Sequence, residues 1–174
     1  MAELGRQIDA LGVRIAKKTA GFHDDLDVLL RVITLGGQKG YLTDYVTTIG
    51  STIYVPLDWD ERTLADRYAT LRHELVHVRQ FRRYGLLVMA IAYLFLPLPM
   101  GLAWCRMRLE QEAYAESMRA AFEIGGAAAL DELREHVIKQ FVSAAYAWMW
   151  PFRDSVSRWY DDTARSIAEA PRVG

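Results

Sequence analysis

An uncharged apolar segment from Tyr84 to Cys105 is the feature that most restricts how this chain can fold. As a single helix it would reach about 33 Å, which is enough to cross a hydrocarbon layer of about 30 Å. Pro97 and Pro99 oppose one straight helix, because each removes a backbone donor and clashes with the preceding turn. The segment therefore predicts an apolar hairpin at residues 84–105, turned at its prolines, that is either buried in the domain or in contact with a membrane surface or a protein partner.

The N-terminal sequence predicts an amphipathic helix over residues 1–20, because Leu4, Ile8, Leu11 and Ile15 recur at helical spacing. The apolar face of this helix is expected to pack on the core, and a membrane-surface helix is the alternative. The same stretch carries acidic residues and lacks the apolar region of a secretory signal. We therefore expect a cytoplasmic chain, with any membrane association made through the apolar hairpin.

The remaining sequence is mostly helical in pattern. Residues 41–55 are rich in Thr, Tyr, Val and Ile and are interrupted at Gly50, which predicts a β-hairpin and the only strands of the chain. A helix is predicted over residues 60–84, with a buried apolar stripe that begins at Leu64. The fold class is therefore mainly α with a small β-hairpin or sheet (α+β), in a single domain of residues 1–174. Three further helices are predicted at residues 101–122, 127–148 and 155–167.

The sequence HELVH at residues 73–77 is an HExxH motif on the helix predicted over residues 60–84. Because His73 and His77 are four residues apart, both imidazoles project from one helix face. That spacing lets two neutral ring nitrogens reach one ion at about 2.0–2.1 Å. Glu74 lies beside them, close enough to touch a metal-bound water without being a ligand. The motif therefore predicts a metal site with His73 and His77 as ligands and Glu74 as the catalytic carboxylate.

A third ligand must come from elsewhere in the chain, since a catalytic zinc takes three protein ligands and keeps one open position. The chain has one cysteine, which excludes a Cys-rich site. Gln80 and Arg83 stand where a metzincin would have Gly and His. Residues 109–116, LEQEAYAE, offer acids on the next predicted helix. Glu110 and Glu112 are the candidates for the third ligand, and the helical pattern alone leaves the choice open.

HELVHVRQ followed by LEQEAYAE resembles the minimal gluzincin metallopeptidases, and it is similar to bacterial proteins that carry HELxHVxQ. The resemblance covers residues 73–80 and 110–115, and loosely the preceding hairpin. It implies a zincin-like fold, one bound Zn²⁺ ion and a catalytic carboxylate. By this resemblance the metal ligands are His73, His77 and Glu110, and the carboxylate is Glu74.

The chain departs from the gluzincin pattern four residues after Glu110, where many members have Asp and this chain has Tyr114. A carboxylate at that place would orient a ligand histidine through its second ring nitrogen. We expect Tyr114 to serve the site, either by orienting a histidine more weakly or by facing the substrate. The sequence does not choose among the candidates for an oxyanion donor, which are Tyr41, Tyr45, Tyr114 and His136.

These residues predict zinc-dependent hydrolysis of peptide bonds, with Glu74 as the general base that takes a proton from the attacking water. The edge of the hairpin that ends at residues 52–55 would pair with an extended peptide or protein substrate. The alternative is a non-enzymatic membrane- or partner-binding protein with a vestigial metal site. A peptide deformylase is disfavoured, because it needs a cysteine ahead of the motif and Cys105 lies behind it. A formal net charge of −1 gives no general attraction to nucleic acid.

Overall fold

A computed structural model describes residues 2–18, 46–94, 101–143 and 149–171, without the side chains of residues 93, 94 and 101–103. Helices account for most of these residues, and three short strands form one sheet, so the mainly α, α+β prediction is confirmed. The chain divides into two compact units, Met1–Leu94 and Phe95–Gly174. The zincin-like assignment and the single-domain organisation stay predictions.

The first unit begins with a helix that is shorter than the predicted one. Helix α1 spans Ala2–Ala10, and residues Arg14–Lys17 form strand β1, so the helix predicted over residues 1–20 is wrong beyond Ala10. Gly12 has a φ of 48°, and the amide of Val13 donates to the carbonyl of Ile8, which is the hydrogen-bond pattern that closes a helix. The backbone pairing of β1 in the sheet outweighs the helical spacing of the apolar residues.

The sheet contains strand β2, Thr47–Ile49, and strand β3, Thr52–Val55, in the order β1-β3-β2. Strands β2 and β3 form the predicted hairpin, and Gly50 lies in its turn with a φ of 60°. Strand β1 pairs with β3 in parallel, so the hairpin strands are not the only ones in the chain. Because β3 lies between two partners, β2 is the strand of the hairpin that lies at an edge of the sheet.

A 3-10 helix, Leu57–Glu61, precedes helix α2, Leu64–Leu94, so α2 begins four residues later than predicted. The amide of Asp66 donates a hydrogen bond of 3.1 Å to the hydroxyl oxygen of Thr63, and the Thr63 hydroxyl donates one of 2.7 Å to the Asp66 carboxylate. This reciprocal pair fixes the first turn of α2. The apolar stripe of α2 then packs on Leu4, the sheet and Trp59, although Leu64 at its beginning is exposed. Its buried members are Leu71, Leu75 and Val78.

The apolar segment begins near a kink in α2. Gly85 has a φ of 79°, a left-handed conformation that favours glycine, and it interrupts the helix directly after residue 84, where the predicted helix ends. Beyond it Met89 and Ala92 are buried, but Leu86 and Leu87 are exposed. The prediction that the apolar segment is buried is therefore confirmed only in part. The proline turn of the hairpin predicted at residues 84–105 lies outside the described residues, and no helix among those described is long and apolar enough to cross a bilayer.

The second unit contains helix α3, Gly101–Val142, and helix α4, Arg153–Glu169. Gly126, with a φ of 67°, kinks α3 where the sequence predicted one helix to end and the next to begin. The two helices pack through an apolar core. At their surface the Arg134 guanidinium donates to both carboxylate oxygens of Asp161, at 2.8 and 3.0 Å. The central buried side chains of this core are Met118, Val137, Ile138, Phe141, Val156 and Tyr160.

A buried tyrosine joins the two helices of the second unit. The hydroxyl of Tyr160 donates to the carbonyl of Leu130 at 2.6 Å, and burial raises the pKa of Tyr160 to about 12, so the hydroxyl remains a donor at neutral pH. We expect Tyr160→Phe to lower the free energy of unfolding by about 1–3 kcal/mol, because the buried carbonyl loses its partner. Urea denaturation measures this loss. Tyr84→Phe, at an exposed ring, is the control and should change stability little; equal effects of the two variants would contradict the prediction.

Candidate metal centre

The two histidines of HExxH lie one turn apart on α2 with their rings facing the same point. The Nε2 atoms of His73 and His77 are 3.2 Å apart, and the rings are nearly perpendicular, with an interplanar angle of 73°. Two ligands held at about 2.0–2.1 Å in a tetrahedron are about 3.3 Å from each other. The two nitrogens are therefore spaced as ligands of one ion.

A buried glutamine sets the tautomer of His77. The Oε1 atom of Gln80 lies 2.9 Å from Nδ1 of His77, and Gln80 is only 3% exposed. Because an amide oxygen only accepts hydrogen bonds, the proton of His77 belongs on Nδ1. The lone pair of Nε2 is then left on the side of His73, where a metal ion would need it.

The third member of the site is Glu110 on α3. The ligand atoms of His73, His77 and Glu110 all lie within 4.8 Å of one another, which is close enough to bind one metal ion. Glu110 is 5% exposed, and a buried carboxylate is unfavourable unless a cation or hydrogen-bond donors compensate it. Glu112, the alternative, is exposed and does not belong to this group, since it lies about 200° around the helix from Glu110.

The carboxylate of Glu74 is held by the sheet. Glu74 is buried, and its Oε2 atom accepts a hydrogen bond of 2.6 Å from the hydroxyl of Thr48 on β2. It does not belong to the ligand group of the site, in agreement with a role beside the metal ion rather than on it. The hydrogen bond fixes one carboxylate oxygen and so restricts the orientation of the other.

Tyr114 has a packing role that its sequence position did not indicate. Its ring lies 5.4 Å from that of Phe141, centroid to centroid, against the core of the second unit. The Nδ1 atom of His77 is contacted by Gln80. The role expected of Tyr114, in orienting a histidine or in facing the substrate, stays a prediction.

Of the other expected oxyanion donors, His136 lies within the described part of the chain. It is exposed on α3, and its ring pairs with Gln140 at 3.3 Å. Tyr41 and Tyr45 lie outside the described residues. Two residues of the site were missed from the sequence. Gln80 could have been found, because it follows His77 by three residues on the same helix face. Thr48 could not, since its contact with Glu74 depends on how β2 packs on α2.

Comparison with known proteins does not assign a family. No family model matches the chain, and neither the curated proteins nor the solved structures contain a match. The resemblance to gluzincins rests on the motif residues, and it stays a prediction.

The contact between Gln80 and His77 leads to a testable expectation. Replacing an outer partner of a metal-bound histidine lowers metal affinity by about 10–100-fold. We expect Gln80→Leu to weaken zinc binding by that factor, because Nδ1 of His77 loses its acceptor. Competition against a chromophoric chelator measures the affinity, and circular dichroism reports on folding. Gln80→Glu keeps an acceptor and should bind zinc well. Equal affinity in the leucine variant and the parent would show that the contact is not used.

Proposed function

We propose that this protein is a zinc-dependent metallopeptidase of the gluzincin type, which hydrolyses peptide bonds. The observation that carries the proposal is the convergence of two Nε2 atoms 3.2 Å apart with the buried carboxylate of Glu110. The glutamate directly after the first histidine is oriented by a hydrogen bond and remains outside the ligand group. A metal-binding group with a carboxylate beside it is what hydrolysis by an activated water requires.

The donor set supports zinc as the ion. Two imidazoles and one carboxylate are a ligand combination of catalytic zinc sites, which leave a fourth position for water or substrate. The spacing of the two nitrogens agrees with tetrahedral geometry, and the buried carboxylate of Glu110 belongs to the same ligand group. The residues present therefore fit the ion that the sequence predicted.

Each residue of the site has a separate role in the proposed hydrolysis. His73, His77 and Glu110 would hold the ion, which when bound lowers the pKa of a water to about 7 and polarises the substrate carbonyl. Glu74 takes the proton of the attacking water and delivers it to the leaving amine. Thr48 keeps the Glu74 carboxylate in one orientation through its bond to Oε2. Gln80 keeps Nε2 of His77 unprotonated.

The position of β2 favours an extended peptide as substrate. Among the described residues β2 pairs with β3 on one side only, and its Thr48 contacts the proposed general base. An extended peptide can add to such a strand edge through main-chain hydrogen bonds, which give affinity with little side-chain selectivity. We propose that β2, the edge strand of the hairpin, receives the substrate.

The direct test combines metal analysis with a cleavage assay. Purified protein is analysed for bound metals and incubated with an unstructured protein substrate, with and without a chelator. We expect about one zinc per chain, hydrolysis that the chelator abolishes, and recovery when zinc is restored. Zinc binding without cleavage of any unstructured substrate would favour a vestigial site in a non-enzymatic protein. Absence of bound zinc after zinc is supplied would contradict the metal site itself.

A further inference from the structure

Large apolar side chains are exposed on α2 directly after its kink. Leu87 is 73% exposed and Leu86 62% exposed, and Val88 and Ile91 are exposed as well. Single exposed apolar residues are ordinary, whereas a contiguous group marks a surface that binds another molecule. Residues 86, 87 and 88 are consecutive, so their side chains point in three directions about 100° apart. They therefore cover a broad arc of the helix, which continues to Leu94, instead of a single stripe.

Three arginines shortly precede these apolar residues, and the groups they contact are neutral. Arg79 donates to the side-chain oxygen of Gln7, and Arg82 donates to the carbonyl of Leu11. Arg83 lies over the ring of Tyr84. Several other arginines of the described surface are paired with acids. Examples are Arg6 with Glu3, Arg119 with Glu116, Arg134 with Asp161 and Arg165 with Asp162.

The positive charge beside these apolar residues is therefore not cancelled by an ion pair within the described residues. Arg83 and Leu86 are three residues apart, so even across the kink at Gly85 their Cα atoms lie within about 11 Å of each other. This distance is close to the screening length of about 8–10 Å at an ionic strength of about 0.1–0.15 M. An anionic surface that touches the apolar residues would therefore be attracted by the arginines at the same time.

We propose that this surface, which we name the basic apolar patch, binds the surface of an anionic lipid bilayer. Apolar side chains enter the boundary between headgroups and acyl chains, and guanidinium groups pair with lipid phosphates. A bilayer accommodates apolar side chains that diverge around a helix, whereas a groove on a protein partner accepts one stripe of side chains at spacings of three and four residues. The proposal does not depend on the metal site. The patch consists of Arg79, Arg82, Arg83, Leu86, Leu87, Val88 and Ile91.

Co-sedimentation of the full chain with lipid vesicles tests the proposal. Phosphatidylcholine vesicles serve as the neutral surface, and mixed phosphatidylcholine and phosphatidylglycerol vesicles serve as the anionic one. We expect binding to the anionic vesicles that weakens with added salt. Leu87→Ser should lower the partition coefficient about tenfold. Arg83→Gln should lower it about fivefold on anionic vesicles and little on neutral ones.

Two matched variants control for general loss of apolar surface or charge. Leu57→Ser removes an equally exposed leucine outside the patch, and Arg165→Gln removes an arginine that is paired with Asp162. Both should bind vesicles as the parent does. Failure of the parent to sediment with anionic vesicles would overturn the proposal, and so would equal losses in the patch and control variants. A dimer in light scattering that Leu87→Ser dissociates, without vesicle binding by the parent, would assign the patch to a second copy of the chain instead.

Discussion

Glu74→Gln is expected to retain one zinc per chain and to lower kcat by about 10²–10⁴-fold, which is the range that a positioned general base contributes. The amide cannot accept the proton of the attacking water, but it leaves the three ligand side chains unchanged. It can still accept the hydroxyl of Thr48, so the local packing is preserved. Metal analysis of the purified variant and initial rates of substrate cleavage measure the two outcomes.

The pairing of retained metal with lost activity is the informative result. Glu61→Gln, at an exposed acid ahead of α2, is the matched control and should leave both quantities unchanged. If Glu74→Gln cleaves as fast as the parent, Glu74 is not the base. If the variant instead loses its zinc, Glu74 contributes to metal binding, and the division of roles within HExxH is wrong.

Glu110→Gln is expected to weaken zinc binding by more than 100-fold, whereas Glu112→Gln is expected to leave it unchanged. The loss of a direct ligand should exceed the 10–100-fold effect of losing an outer partner. Both variants remove one negative charge from the same helix, so the comparison isolates position. Glu110 is buried within the ligand group, while Glu112 is exposed. Competition titrations of zinc with a chromophoric chelator give the two affinities.

Folding of the Glu110 variant can be checked separately. Urea denaturation of metal-free Glu110→Gln, compared with that of the metal-free parent, shows whether the variant is folded. A variant that is folded and has lost zinc affinity supports Glu110 as a ligand. Loss of affinity in Glu112→Gln, with Glu110→Gln unaffected, would reverse the assignment.

The sequence predicts the histidines of the metal site, but it predicts the other residues of the site only in part. The spacing of His73 and His77 fixes their shared helix face, because helical geometry is local. The sequence left both Glu110 and Glu112 open, since the choice depends on which side of α3 is buried. The contact between Thr48 and Glu74 joins residues 26 positions apart, so no local sequence pattern indicates it.

The errors in the fold have a common physical origin. Strand β1 was predicted as helix because its apolar spacing fits both structures, and its parallel pairing with β3 is a long-range interaction. The same pairing adds a third strand to the two that were predicted. The helix boundaries predicted near Gly85 and Gly126 coincide with kinks at these residues, because glycine's freedom at positive φ is a property of the residue itself.

Anomalous diffraction from zinc in crystals of the protein examines the metal centre most directly. We expect one peak bonded to Nε2 of His73, Nε2 of His77 and a carboxylate oxygen of Glu110, at about 2.0–2.2 Å, with a fourth position left to solvent. The Glu74 carboxylate should lie beside that solvent position. A zinc ion bound elsewhere, or one that Glu112 completes while Glu110 stays remote, would contradict the site and the activity inferred from it.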